Sequence, residues 1–149
     1  MSAAQLQQLQ DPGVVAELLD RTRASVDGIV GAIVASRDGL VVASSVGAEL
    51  ATSEVSDPVP RRAGYAADDT STKTSAMAAV AAGLGAQFVQ AAGSGTFQAV
   101  TFEGSRGCTG VYPLTSALLL VLVGGEQVTM GRFVVAAKQA VAIMLGPQA

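Results

Sequence analysis

The stretch "VDGIVGAIVASRDGLVVASS", residues 26–45, decides the fold of this chain. Its residues 29–36 are apolar and often β-branched without alternating with polar residues, which is typical of a strand buried on both faces of a sheet. Arg37-Asp38-Gly39 follows, and an Asp-Gly pair favours the positive φ angles of a tight turn. Residues 40–45 then return as an antiparallel partner. We therefore predict a β-hairpin whose first strand lies inside a covered sheet.

The residues before this hairpin predict an amphipathic helix. It is expected to start at Asp11-Pro12, an N-cap followed by proline at the first helical position, and to end near Asp27-Gly28. Its apolar residues recur with helical spacing, so one face is expected to cover the sheet. These residues are Val15, Leu18, Leu19, Thr22 and Val26.

Three more strands and two more helices are predicted after the hairpin. The strands lie at residues 96–103, 108–112 and 118–123, and the last is again apolar throughout. The helices lie at residues 72–92 and 129–145. The stripe expected to face the core on the final helix consists of Met130, Val134, Ala137, Val141 and Leu145.

The resulting order is α-β-β-α-β-β-β-α, which we interpret as a single domain over residues 1–149. Because two strands are apolar on both faces, helices must lie on both faces of the sheet. The prediction is an α/β (α+β) fold with a five-stranded, mainly antiparallel sheet. Residues 46–69 have no sustained period and are predicted to be a long, mobile connection with a helical turn near residues 49–54. Connections of this length are usually functional or disordered, and both interpretations stay open.

The helix at residues 72–92 carries no charge after Lys73, and the next charged residue is Glu103. A surface helix normally presents charged side chains to water. On a helical wheel Met77, Val80, Leu84 and Phe88 share an arc, which we predict to pack on the sheet. The opposite arc is smooth and uncharged, and we predict that it packs on a second copy of the chain across a two-fold axis.

That predicted self-interface consists of Ser75, Ala79, Ala82, Gly83, Ala86 and Gln90. Gly83 and Gly85 each cost about 1 kcal/mol relative to alanine within a helix, which favours close approach to another helix. Two alternatives stay open: an exposed alanine-rich helix, and contact with another helix of the same chain.

The composition argues against catalysis and cofactors. The chain has no histidine, which excludes Ser-His-Asp and Cys-His nucleophile activation and histidine-ligated metals. The single Cys108 excludes an internal disulfide and a cysteine-based zinc site, and is interpreted as a buried core thiol. We predict no catalytic, metal-binding or cofactor-binding residues, and no enzyme.

The composition also argues against nucleic acid and membrane as targets. The net charge is −3, and no basic run is longer than Arg61-Arg62. The most apolar run, residues 118–123, is far shorter than the ~20 residues that a membrane span needs. Residues 1–13 lack the features of a signal peptide, so we expect a cytoplasmic protein.

The chain resembles bacterial members of the Roadblock/dynein light chain family. The resemblance rests mainly on the quoted residues 26–45 and extends through "TFQAVTFEG", "LLLVLVGG" and the final helix, over about residues 14–145. Hydrophobic strands with an Asp-Gly turn also occur in longin and profilin-like folds. The connection at residues 46–69 is longer than is usual in the family.

The resemblance implies a homodimer in which the middle helices pack together and the following strands pair edge to edge. In this chain those elements are residues 72–92 and the strand at 96–103, which adds Thr96, Gln98 and Thr101 to the expected interface. It further implies a non-enzymatic regulator or scaffold that binds a small Ras-like GTPase, with stimulation of GTP hydrolysis as an extension. The alternative is a small-molecule sensory domain of profilin or PAS type.

Overall fold

Four helices and five strands make up the part of the chain that the computed structural model describes, residues 2–47 and 65–146, with only the backbone for residues 65–69. Their bounds are α1 Ala3–Gln8, α2 Pro12–Ser25, β1 Ile29–Ser36, β2 Val41–Val46, α3 Tyr65–Ala91, β3 Val100–Gly104, β4 Gly107–Pro113, β5 Leu118–Gly124 and α4 Met130–Leu145.

The five strands form one antiparallel sheet in the order β2-β1-β5-β4-β3. Both strands predicted to be buried on two faces, β1 and β5, lie inside the sheet and pair with each other, with Ile33 opposite Val121. Because side chains alternate along a strand, Val34 and Leu120 point to one layer of core while Ile33 and Val121 point to the other. The predicted fold class is confirmed.

One face of the sheet is covered by α2 and α4, whose Leu19 and Phe133 are completely buried. The predicted core stripe of α2 is confirmed, since all its members are buried or pack against this core. On α4 the predicted stripe is partly wrong: Val134 is exposed and the neighbouring Phe133 points inward instead. With the Phe133 ring in the core, α4 is rotated about its axis relative to the predicted orientation. The alanines one and two turns after Phe133 therefore face the core as well. The buried residues of α4 are Phe133, Ala136, Ala137, Ala140 and Met144.

Helix starts and the hairpin turn follow the local sequence. The Asp11 carboxylate accepts the Gly13 N–H at 2.9 Å, with Pro12 in the first turn of α2. Gly39 adopts φ 89° in the turn between β1 and β2, as the Asp-Gly pair predicts. The short helix α1 was not predicted; the Ser2 hydroxyl and the Gln5 side chain cap it reciprocally.

No helix within residues 2–47 and 65–146 has the length and apolarity to cross a membrane.

Two predicted boundaries differ from the structure. The middle helix α3 begins at Tyr65, where residues 46–69 were expected to be a connection, and Val46 belongs to β2. The remainder of that connection, with the predicted turn at residues 49–54, lies outside the described residues. Strand β3 begins only at Val100, because in its register residue 98 would face Pro113, which has no N–H to donate.

Candidate interaction surface

The second face of the sheet is covered by α3, and this helix turns its small side chains inward. Its buried positions follow helical spacing from Ser71 through Ser75 and Ala78 to Ala82, none more than 3% exposed. Ala78 and Ala82 pack with a layer of core contributed by β1, β4 and β5 and by Phe97 from the connection to β3. These sheet and connection residues are Ile33, Phe97, Val111, Leu119 and Val121.

The large side chains of α3 point away from the sheet. Met77, Val80, Leu84 and Phe88 are 72%, 71%, 64% and 73% exposed. The prediction that this arc packs on the sheet is therefore wrong, and the helix is turned by about half a revolution from the expected orientation. All four side chains form one continuous stripe because their spacing is i, i+3, i+7 and i+11.

Close backbone contacts explain why the small face is inside. A Cβ added to Gly39 in the hairpin turn would lie 3.2 Å from the Cα of Ala76, so only small residues allow the helix this close to β1 and β2. At Gly85 an added Cβ would lie 2.6 Å from the ring of Phe97, which fills the space that a larger helical side chain would take. Gly85 thus makes a close contact inside the chain and not with another helix.

The predicted interface residues on α3 fall into two groups. Ser75 and Ala82, at 0% and 3% exposure, are wrong as interface residues because they are buried against the chain's own sheet. Gly83, Ala86 and Gln90 are exposed, and Ala79 is half-buried; for these four residues, self-contact stays a prediction. The sequence shows that this helix carries no charge after Lys73. The stripe was nevertheless assigned to the wrong side of the helix, so its four large residues were not predicted to be on the surface.

Strand β3 is an edge of the sheet and pairs only with β4 among the described strands. The backbone groups along its other side therefore face no strand of this chain, which is the arrangement that allows pairing with a second chain. Phe102, in the middle of β3, is 53% exposed and lies opposite Thr109, on the sheet face that α3 covers. We call the stripe and this side chain together the apolar surface: Met77, Val80, Leu84, Phe88 and Phe102.

The three predicted interface residues near β3 are not equivalent. Thr96 and Gln98 are exposed in the connection before the strand, whereas Thr101 is half-buried opposite Gly110. The Tyr112 ring lies over Gly110 on the face covered by α2 and α4. Burial raises the pKa of the Tyr112 phenol, a shift that the neighbouring Thr101 side chain opposes. The Thr101 side chain therefore lies on the face of the sheet that α2 and α4 cover, away from the apolar surface.

Replacing the two glycines of α3 by alanine should have opposite effects on stability. Gly83 has no atom within 4 Å of an added Cβ, so Gly83→Ala should stabilise the folded chain by about 0.5–1 kcal/mol through helix propensity alone. Gly85→Ala must displace the Phe97 ring, and overpacking of this kind costs about 1–3 kcal/mol. Urea unfolding of the two variants measures both effects, and equal midpoints would contradict the contact between Gly85 and Phe97.

Solved structures define the class of this architecture as the Roadblock/LC7 fold. A Roadblock/LC7 domain from Streptomyces avermitilis is 18% identical, with a TM-score of 0.63 over 85% of this chain and 90% of that chain. The gliding protein MglB from Thermus thermophilus is 19% identical, with a TM-score of 0.63 over 97% of this chain and 91% of that one. MglB from Myxococcus xanthus is 12% identical, with a TM-score of 0.67 over 91% and 88%.

These similarities confirm the fold that the sequence resemblance implied. No family model matches the chain, and no curated protein is significantly similar to it in sequence. The relationship to the solved structures is therefore one of architecture, and the function has to be inferred from the surface of this chain.

Proposed function

We propose that the protein is a non-enzymatic homodimer that serves as a regulator or scaffold for a small Ras-like GTPase. The observation that carries the proposal is the apolar surface, which exposes four large side chains of α3 and Phe102 in the single chain. Contiguous exposed apolar residues on a soluble domain mark a surface that binds another protein. The nearest charges along the sequence are Lys73 and Glu103, at its two ends.

A second copy of the chain fits this surface better than a chemically different partner. Two copies related by a two-fold axis bring the stripe of α3 against itself, antiparallel, and the free edge of β3 against its counterpart. Phe102 is the central residue of Val100–Gly104 and then lies close to the axis. Because α3 and the Phe102 side chain lie on the same face of the sheet, we expect one symmetric contact to bury the stripe and to complete the backbone hydrogen bonding of the edge.

The GTPase partner is supported by the Roadblock/LC7 fold, and the non-enzymatic part of the proposal is supported by the composition. Without histidine, the chain has no general base of the usual kind for hydrolysis. Among the described residues there is also no group of three side chains placed to hold a metal ion. The Roadblock resemblance implies action through a GTPase's own catalytic groups, and stimulation of GTP hydrolysis is the stronger form of the proposal.

The test is a pull-down with the tagged full-length protein from lysate of its native cell, divided between GDP and a non-hydrolysable GTP analogue. We expect a small GTPase to be enriched in one of the two nucleotide states, as identified by mass spectrometry. Its purified form would then be tested for binding and for faster GTP hydrolysis in the presence of the protein. A GTPase absent from both samples, with full recovery of the bait, would contradict the proposal. A ligand-induced rise in Tm would then favour the sensory domain.

A further inference from the structure

Residues 70–76, the first part of α3 that the structure describes in full, turn polar side chains toward the sheet, whereas the rest of the helix turns apolar ones toward it. The two inward side chains of residues 70–76 are Ser71 and Ser75, which are 2% and 0% exposed and lie one turn apart on the same face. Neither hydroxyl oxygen has a hydrogen-bond partner. From Ala78 onward the inward face is apolar and belongs to a core cluster that includes Phe97 and Val121.

Buried hydroxyl groups without partners oppose the docking of this part of the helix. In water each serine would be hydrogen-bonded, so burial without a partner loses that interaction and gains nothing in its place. A serine within a helix often bonds to the carbonyl four residues earlier, but Ser71 and Ser75 do not. The two unpartnered hydroxyls therefore oppose the docking of residues 70–76, whereas Ala78 and Ala82, the buried residues farther along the same helix, bring no polar side chain into the core.

We propose that residues 70–76 of α3 undock from the sheet as a local unit while residues 78–91 stay docked, and that this opening regulates the apolar surface. Ala76 packs on Gly39 of the hairpin turn, and Met77, the first residue of the stripe, follows it directly. Because Met77 lies at the junction between the two parts of the helix, undocking of residues 70–76 would displace it relative to Val80 and Leu84. This regulatory step rests on the homodimer proposed above: a contact that buries Met77 favours the docked state, and the docked state favours the contact.

Hydrogen exchange of the full-length protein, followed by mass spectrometry, tests the local opening. Amides of residues 70–76 should exchange faster than those of residues 78–89. The double variant Ser71→Ala/Ser75→Ala, which removes both unpartnered hydroxyls, should slow exchange in the segment by roughly tenfold or more. The matched control Ser105→Ala removes an exposed hydroxyl in the β3–β4 turn and should change nothing in α3. Equal exchange along the helix, or no slowing in the double variant, would overturn the local opening.

The coupling to assembly is tested in a dissociated background. In Leu84→Glu, which we expect to be a folded monomer, residues 70–76 should exchange several-fold faster than in the wild type, and the double alanine variant should lower the dimer Kd. Unchanged exchange in a monomeric Leu84→Glu would overturn the coupling. A wild type that is monomeric at all concentrations would instead refute the homodimer, and the exchange pattern along α3 would still decide the local opening.

Discussion

Leu84→Glu should convert the proposed dimer into a folded monomer. Leu84 is 64% exposed in the single chain, so a carboxylate at this position stays in water as long as the chain is alone. In the dimer the same carboxylate would be buried among apolar side chains without a partner, which costs about 3 kcal/mol or more. Since each 1.4 kcal/mol is a factor of ten, the dimer Kd should rise by at least about 100-fold. Sedimentation velocity over a concentration series measures it.

The matched control is Ala86→Glu, which places the same charge on the same helix. Ala86 is exposed but lies on the far side of the helix from the stripe, within the arc that the sequence predicted as the interface. We expect this variant to remain dimeric and to unfold at the wild-type Tm. Dissociation by Ala86→Glu together with a dimeric Leu84→Glu would show that the small-residue arc, and not the large-residue stripe, is the interface.

Ala82→Glu should unfold the protein instead of dissociating it. Ala82 is 3% exposed and packs within the core between α3 and the sheet, so the new carboxylate would enter an apolar layer. An unpaired buried charge costs about 3–5 kcal/mol, which is comparable to the total stability of many domains. Circular dichroism should show a largely unfolded chain, or a Tm lowered by more than about 10 °C. A variant as stable as the wild type would mean that α3 is docked by its other face.

The strands and the central place of β1 and β5 in the sheet were predictable because their signals are local and strong. Residues 29–36 and 118–123 are apolar without alternation, which requires cover on both faces, and the Asp-Gly turn fixes the hairpin between β1 and β2. The start of α2 was predictable for the same reason, since Asp11 and Pro12 act within a single turn. Such patterns need no knowledge of the rest of the chain.

The orientation of α3 was not predictable in this way. A helical wheel shows which residues share a face, but with no charges after Lys73 it does not show which face meets the sheet. Two distant contacts decide the matter: the Phe97 ring against Gly85, and the turn at Gly39 against Ala76. Larger side chains were expected inside because burial of apolar area stabilises a fold. Here the available space is already filled by Phe97 and by the close approach of the backbone.

The inward face of α3 consists of small residues and its outward face of large ones. Selection for a stable fold therefore acts on one set of residues, and selection for a binding surface acts on another. Changes at the four large positions of the stripe leave the interior of the domain untouched, since these side chains make no part of its core. After a gene duplication, two descendants can therefore diverge at these positions, one gaining bulk or charge where the other loses it, without loss of folding. In the proposed homodimer, such divergence would replace self-pairing by obligatory pairing with a related but different chain.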